Sequence, residues 1–301
     1  MNFACALLLA WAIDVAFGEP RNAWHPVAWL GRLLAPLGRW LVTLPPRAAF
    51  AGGAAAWLLI GAALVLAAWA AQQWLLGLPA WLAVPLLALL LKPSWAWRML
   101  RDEVAAVEAA LQQQGLPAAR AQAARLVSRD VGGFDETMLR ETAIETLAEN
   151  LNDSVVAPLF WAALLGLPGA VLYRFANTAD AMWGYRGRFE WAGKWAARAD
   201  DVLSWLPARL TGLALAAPAQ WPLLRREARR TPSPNGGWPM GAMALRLGVR
   251  LRKPGVYTLN AQAAEPTAGH MQRALRAATA VAWSAAALAA LAALPGWGRA
   301  P

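Results

Sequence analysis

Carboxylates recur at regular intervals along one stretch of the sequence: Glu141, Glu145 and Glu149 are four residues apart, and Asp153 is one step further. On a helix this spacing stacks them on one face, where like charges repel by a few tenths of a kcal/mol per pair. A solvated acidic face is the ordinary outcome. Here, however, Asn150, Asn152 and Asp153 run straight into an apolar segment at Ser154 and Val155, and carboxylates at a membrane boundary are costly unless they bind something. A divalent cation suits them, because magnesium takes carboxylate oxygens, keeps waters and bridges to substrate phosphates.

Other polar positions fall at the next boundaries. Asn177 and Asp180 close the run Arg174-Phe-Ala-Asn-Thr-Ala-Asp180, and Asp200-Asp201 stand just before Val202. The aspartate pair could bind metal, or cap a helix and pair with Arg198 or Arg209. His25 lies in a turn-rich segment with Asp14, Glu19 and Arg21 nearby in sequence. A histidine beside proline is usually structural, but its titration range also suits proton transfer. Ser233-Pro-Asn-Gly-Gly-Trp-Pro239 could bring backbone amides close to an anion, although an ordinary turn explains the same residues. No P-loop, G-x-G-x-x-G, paired cysteine or G-x-S-x-G elbow occurs.

The elements that must position these groups are membrane helices. Apolar residues make up 58% of the 301 residues, unusual for a soluble chain. The one cysteine, Cys5, excludes an internal disulfide framework. The net charge of +10 sits in blocks between apolar segments, which argues for membrane orientation and against nucleic acid. The first apolar stretch carries Asp14 and has neither a basic start nor a small-residue cleavage site, so it reads as a retained helix.

The expected fold is all-α: one polytopic, membrane-embedded domain with segments 2–17, 53–76, 79–91, 154–173, 202–224 and 277–294. Segment 154–173 reads as either a kinked span or a re-entrant pair. Residues 92–153 read as a soluble-type helical portion, with a break at Gln112 to Pro117 and Asp135 as an N-cap. The loop from Arg225 to Arg276 holds ten Lys or Arg against Glu227 and Glu265, which puts it in the cytoplasm. The hairpin at 52–91 then brings 92–153 to the same side. Nineteen tryptophans suit interfacial belts or the lining of a large pocket.

These residues resemble the successive signatures of the CobD/CbiB family of cobalamin biosynthesis. The matching stretches are Gly18-Glu-Pro with His25-Pro-Val, Ser128-Arg-Asp130, Glu145-Thr-Leu-Ala-Glu-Asn-Leu-Asn-Asp153 with Ala157-Pro-Leu-Phe160, and Tyr173 to Asp180 with Gly184-Tyr185. Ala197-Arg-Ala-Asp-Asp201, Leu206-Pro-Ala-Arg-Leu210 and Ser233 to Pro239 follow in the family's order. Asn260 to His270 departs from the pattern.

The resemblance implies an adenosylcobinamide-phosphate synthase of the cell inner membrane. Its substrates would be adenosylcobyric acid and (R)-1-amino-2-propanol or its O-phosphate, joined as an amide with ATP and Mg2+. It also leaves room for association with other cobalamin-assembly enzymes. Under this reading Glu145, Glu149 and Asp153 hold metal, with Asp180, Asp200 and Asp201 as a second carboxylate group. His25, Glu145, Glu149 and Asp180 are the catalytic candidates, with His25 as the base for the incoming ammonium. Arg129, Arg174, Asn177, Arg186, Arg209, Asn235 and Trp238 are candidates for substrate contacts. The competing reading is a transporter of a corrinoid or other anion that uses the broken segments as a path.

Overall fold

The structure, a computed structural model, describes residues 2–185 and 187–294. Its helices are α1 Asn2–Phe17, α2 Pro26–Leu41, α3 Pro46–Leu76, α4 Ala80–Leu91, α5 Trp97–Gln113, α6 Leu116–Ala123, α7 Glu136–Leu151, α8 Ala157–Trp183, α9 Lys194–Leu215, α10 Trp221–Ala228, α11 Gly237–Leu247 and α12 Ala268–Ala293. Among the described residues the one sheet is a hairpin of β1 Leu251–Lys253 and β2 Tyr257–Leu259.

This is the helical membrane architecture that the composition requires. Among the described residues, four helical stretches are long and apolar enough to cross a membrane: Pro46–Leu76, Ala80–Gln113, Glu136–Trp183 and Ala268–Ala293. Inside hydrocarbon every backbone polar group needs an internal partner, and a helix supplies that. Segment 202–224 is divided: α9 ends at Leu215, a 3-10 turn at Pro218–Gln220 follows, and α10 begins at Trp221. Pro218 and Pro222 have no N–H to continue a helix.

The chain, expected from its sequence to form one domain, separates into two compact units. The first comprises 1–96, 157–204 and 285–301, and the second 97–156 and 205–284. In the first, α1 packs on α4, and both α2 and α3 pack on α8. Leu34, Leu41, Trp57, Phe175 and Trp183 form a buried cluster there, and the Trp183 indole donates to Leu34 O at 3.2 Å. In the second unit, α5 packs on α6 and α7, and α11 packs on α7 and α10. The Arg140 guanidinium of α7 grips Glu108 of α5 with two hydrogen bonds of 2.8 and 3.0 Å, the bidentate geometry that favours arginine at such a joint.

Segment 154–173 is interrupted, and the chain turns there sharply enough that a Cβ on Gly169 would run into Trp161 O. A π-helical turn, Asn152–Val156, joins α7 to α8, and α8 is broken at Gly166, with φ 70° and ψ −153°. That conformation is open to glycine and strained for other residues. The break frees the Leu167 N–H, which donates to Gln72 Oε1 of α3 at 2.7 Å. Gln72 is fully buried, and a Cβ on Gly166 would come within 2.5 Å of its Oε1. Gln72→Leu is therefore expected to destabilise the protein by about 1–3 kcal/mol, the cost of an orphaned buried donor. Thermal unfolding in detergent measures this, and an unchanged midpoint would show that the kink needs no cap.

Candidate active site

The carboxylate-bearing helix α7 starts where its sequence says it should. Asp135 Oδ1 accepts the Met138 N–H at 2.7 Å, the N-cap bond that fixes the helix start. From there, intervals of four turn Glu141, Glu145 and Glu149 to one side. Glu141 is fully buried and bridged by Arg250 Nε at 3.3 Å and Arg252 Nε at 2.9 Å, so the face is anchored by the strand β1 beside it. Arg250 also donates to Glu265 at 2.7 Å.

One turn further, Glu145 Oε2 accepts from Arg129 Nη2 at 3.1 Å, and the same nitrogen lies 2.9 Å from Thr142 Oγ1. Arg129 sits in the loop after α6. That loop is held by Arg120, which donates to Phe134 O at 2.8 Å, and by Asp130 Oδ1, which accepts the Gly132 N–H at 2.8 Å.

Glu145 and Glu149 open into a cleft of ≈ 220 Å³ together with Ser128, Arg129, Lys253 and Tyr257. The hairpin supplies the last two as a facing pair, because its register sets Lys253 opposite Tyr257. Gly255, with φ 72°, makes the turn between them. Asn260 then holds the hairpin in place from a left-handed conformation of φ 48°. Its backbone N–H donates to Glu227 Oε2 at 2.7 Å, and its side chain donates to Val249 O at 3.1 Å and Ala244 O at 3.3 Å.

On another side of Glu149, a Cβ on Gly236 would lie 2.9 Å from Glu149 Oε1. The glycine is what lets the Ser233–Gly236 turn approach so closely. The backbone amides of Asn235 and Gly236 are spent on Ser233 Oγ, at 3.2 and 3.1 Å, so the turn is self-bonded. Burial first, then the Glu145 and Glu149 charges, push the Tyr257 hydroxyl well above the ordinary phenol range. It therefore stays a hydrogen-bond donor, here 3.5 Å from Met240 Sδ.

The remaining candidates have other surroundings. Asp153 Oδ1 accepts from Asn152 Nδ2 at 2.7 Å within the π-helical turn. Arg209, expected to contact substrate, is occupied: it donates to Asn235 Oδ1 at 2.8 Å, to Trp205 O at 2.7 Å and to Pro234 O at 3.1 Å. In the first unit Arg174 donates to Ser94 O at 3.1 Å and to Asn177 Oδ1 at 3.4 Å, and Asn177 Nδ2 reaches Asp200 Oδ1 at 3.5 Å. The Asp180 carboxylate fills the space that a Cβ on Gly184 would need. Burial raises the Asp201 carboxyl above its usual range. Arg186 lies outside the described residues.

His25 is a helix cap. Its Nδ1 accepts the Val27 N–H at 3.1 Å, which uses the lone pair a base needs, and its Nε2 meets Glu19 Oε2 at 2.7 Å. Behind it, Lys92 Nζ bridges Glu19 at 2.6 Å and Asp14 at 3.0 Å. Neither Lys92 nor the hairpin pair was marked by sequence spacing.

Among the described residues, no three His, Cys, Asp or Glu side chains converge on a site for a metal ion. The proposed ligands also divide between the units: Glu145, Glu149 and Asp153 belong to the second, Asp200 and Asp201 to the first. A magnesium ion carried on a phosphate needs only one or two carboxylates. Glu145 fits that need, since its Oε1 is buried with no hydrogen-bond partner within bonding distance, and Tyr257 lies close enough to act on the same carboxylate.

Fold and cleft together define a polytopic helical membrane protein with a basic-and-acidic pocket in its polar unit. A family model described as CobD/Cbib protein matches residues 7–287, and the chain belongs to this CobD/CbiB family of cobalamin biosynthesis. It is 40% identical over 294 residues to cobalamin biosynthesis protein CobD of Rhodobacter capsulatus, covering 91% of this chain and 92% of that one. The Dehalococcoides mccartyi protein of the same name is 36% identical, covering 86% and 87%. A Pyrococcus abyssi protein, described as a probable CobD, is 40% identical, covering 91% of each. No solved structure matches the chain.

Proposed function

We propose that the chain joins a propionate carboxyl of adenosylcobyric acid to the amine of (R)-1-amino-2-propanol or its O-phosphate, at the cytoplasmic face of the inner membrane. The observation that carries this reading is the juxtaposition of Glu145 and Glu149 with Arg129 and Lys253 in one small cleft. Its ≈ 220 Å³ suits a short amine and is far too small for a corrinoid. Carboxylates complement an ammonium, and the guanidinium and ammonium opposite them complement a phosphate ester.

Within that cleft Glu149 orients the ammonium and accepts the proton it must lose before its nitrogen can attack. Arg129 is held by Glu145 and Thr142, so it meets an anion already oriented. Tyr257, kept protonated, donates to an oxygen brought into the cleft. ATP would supply the phosphoryl group that makes the corrinoid carboxyl electrophilic, and magnesium carried on its phosphates would be met by Glu145, leaving Glu149 to the amine. The C–N bond forms as the activated oxygen leaves. His25 and Glu19 act as positioning residues for the start of α2.

A strain deleted for its own family member, fed cobyric acid and aminopropanol, tests the reading in the cell. Expression of this chain should restore cobinamide, read by mass spectrometry. A folded, membrane-inserted chain that restores none would overturn it and leave transport as the reading to pursue.

A further inference from the structure

A second cleft, larger at ≈ 640 Å³, lies in the second unit, with Ser233 and Pro234 of the turn beside Glu149 in its lining. Trp205, Trp221, Trp238 and Pro232 form its walls, and Arg225 and Arg229 stand at its edge, one turn apart. Its lining contains no acidic residue. The nearest carboxylate in sequence, Glu227, is turned away to Arg230 at 3.1 Å and the Asn260 N–H at 2.7 Å. Among the described residues Arg225 and Arg229 make no ion pair.

Aromatic faces in the cleft are partly taken up already. The Arg209 guanidinium lies between two of them, 4.4 Å from the Trp205 ring and 4.9 Å from the Trp238 ring. Trp238 also packs on Trp221, with centroids 6.0 Å apart. A flat base would have to displace these contacts. An acyl chain would not, because Trp205 continues outward into an exposed apolar stripe with Leu206, Leu210 and Leu213, each at least 38% exposed.

We propose that this cleft seats the phosphate headgroup of an acidic phospholipid against Arg225 and Arg229, with an acyl chain lying along Trp205, Leu206, Leu210 and Leu213. The pairing of basic side chains with tryptophan and aliphatic surface is what an anionic membrane interface selects. The headgroup contacts Arg225 and Arg229 do not line the carboxylate cleft, although Ser233 and Pro234 of this lining belong to the turn that approaches Glu149.

The test is native mass spectrometry of the full chain in detergent, with phosphatidylglycerol and phosphatidylcholine of matched acyl chains. The native chain should retain phosphatidylglycerol in preference to phosphatidylcholine. R225Q/R229Q should lower phosphatidylglycerol affinity by about tenfold or more, on the basis of one favourable contact per basic residue. R226Q/R273Q removes the same charge outside the cleft and should change it less than about twofold. An equal loss in both variants would mean unspecific charge attraction, and no headgroup preference would mean no site. Displacement of the lipid by ATP or cobyric acid, lost in R225Q/R229Q, would make the cleft a substrate site. Any of these three results overturns the proposal.

Discussion

Glu149→Gln is expected to lower amide formation by about a hundredfold or more while the chain still folds and inserts. The substitution keeps shape and removes the one property the account needs, a negative charge able to orient an ammonium and take its proton; positioned general bases contribute about 10²–10⁴-fold. Glu149 is the cleaner of the two cleft carboxylates to change. It is half-buried, whereas Glu145 is buried and carries the Arg129 ion pair at 3.1 Å, so its loss would also unfasten the loop after α6. The measurement is product formed per unit of membrane-inserted protein, with thermal unfolding alongside. Full turnover by Glu149→Gln would remove this cleft from the chemistry.

The largest effect on stability is expected from Lys92→Met. Lys92 is buried between Asp14, itself fully buried, and Glu19. Removing the cation leaves two carboxylates facing each other in a low-dielectric site, and breaking a buried pair in this way costs about 3–5 kcal/mol. Asp14→Asn and Glu19→Gln placed in the same chain should recover much of that, since they remove the uncompensated charge. Detergent melts of the single and triple variants read both effects; equal stability of Lys92→Met and the native chain would show that the cluster holds nothing together.

The same cluster predicts a pH dependence. Burial alone would raise the Glu19 carboxyl, but the His25 hydrogen bond and the Lys92 charge outweigh it and hold the carboxyl below its usual range. A carboxyl lowered on folding stabilises the protein above its unfolded pKa of about 4.3, and that contribution is lost as pH falls through the lowered folded value. The native chain should therefore lose this increment on acidification, and Lys92→Met should lose much less.

What could be read in the sequence was local. Asp135 marks the start of α7 because an N-cap acts within three residues, and Gly115, with φ 84°, falls in the expected break between α5 and α6. The i, i+4 spacing placed Glu145 and Glu149 in one cleft, because helix geometry alone decides which face they share. The rest depended on distant chain. Lys92 reaches Glu19 across 73 positions and Arg252 reaches Glu141 across 111, and no periodicity reports such pairings. The hairpin that brings Lys253 and Tyr257 has strands of three residues, too short to show alternation. Arg209 was legible as a charge inside an apolar segment and a candidate for substrate contact, but not as one stacked between tryptophans, since its partners follow from how α9 meets the Ser233–Trp238 turn.

The central claim is tested most directly with the purified chain in lipid nanodiscs, incubated with adenosylcobyric acid, aminopropanol phosphate, ATP and magnesium. The account predicts a corrinoid heavier by the amine less one water, formed by the native chain and nearly absent with Glu149→Gln. A folded native chain that leaves adenosylcobyric acid unchanged, with either the phosphorylated or the free amine, would contradict it.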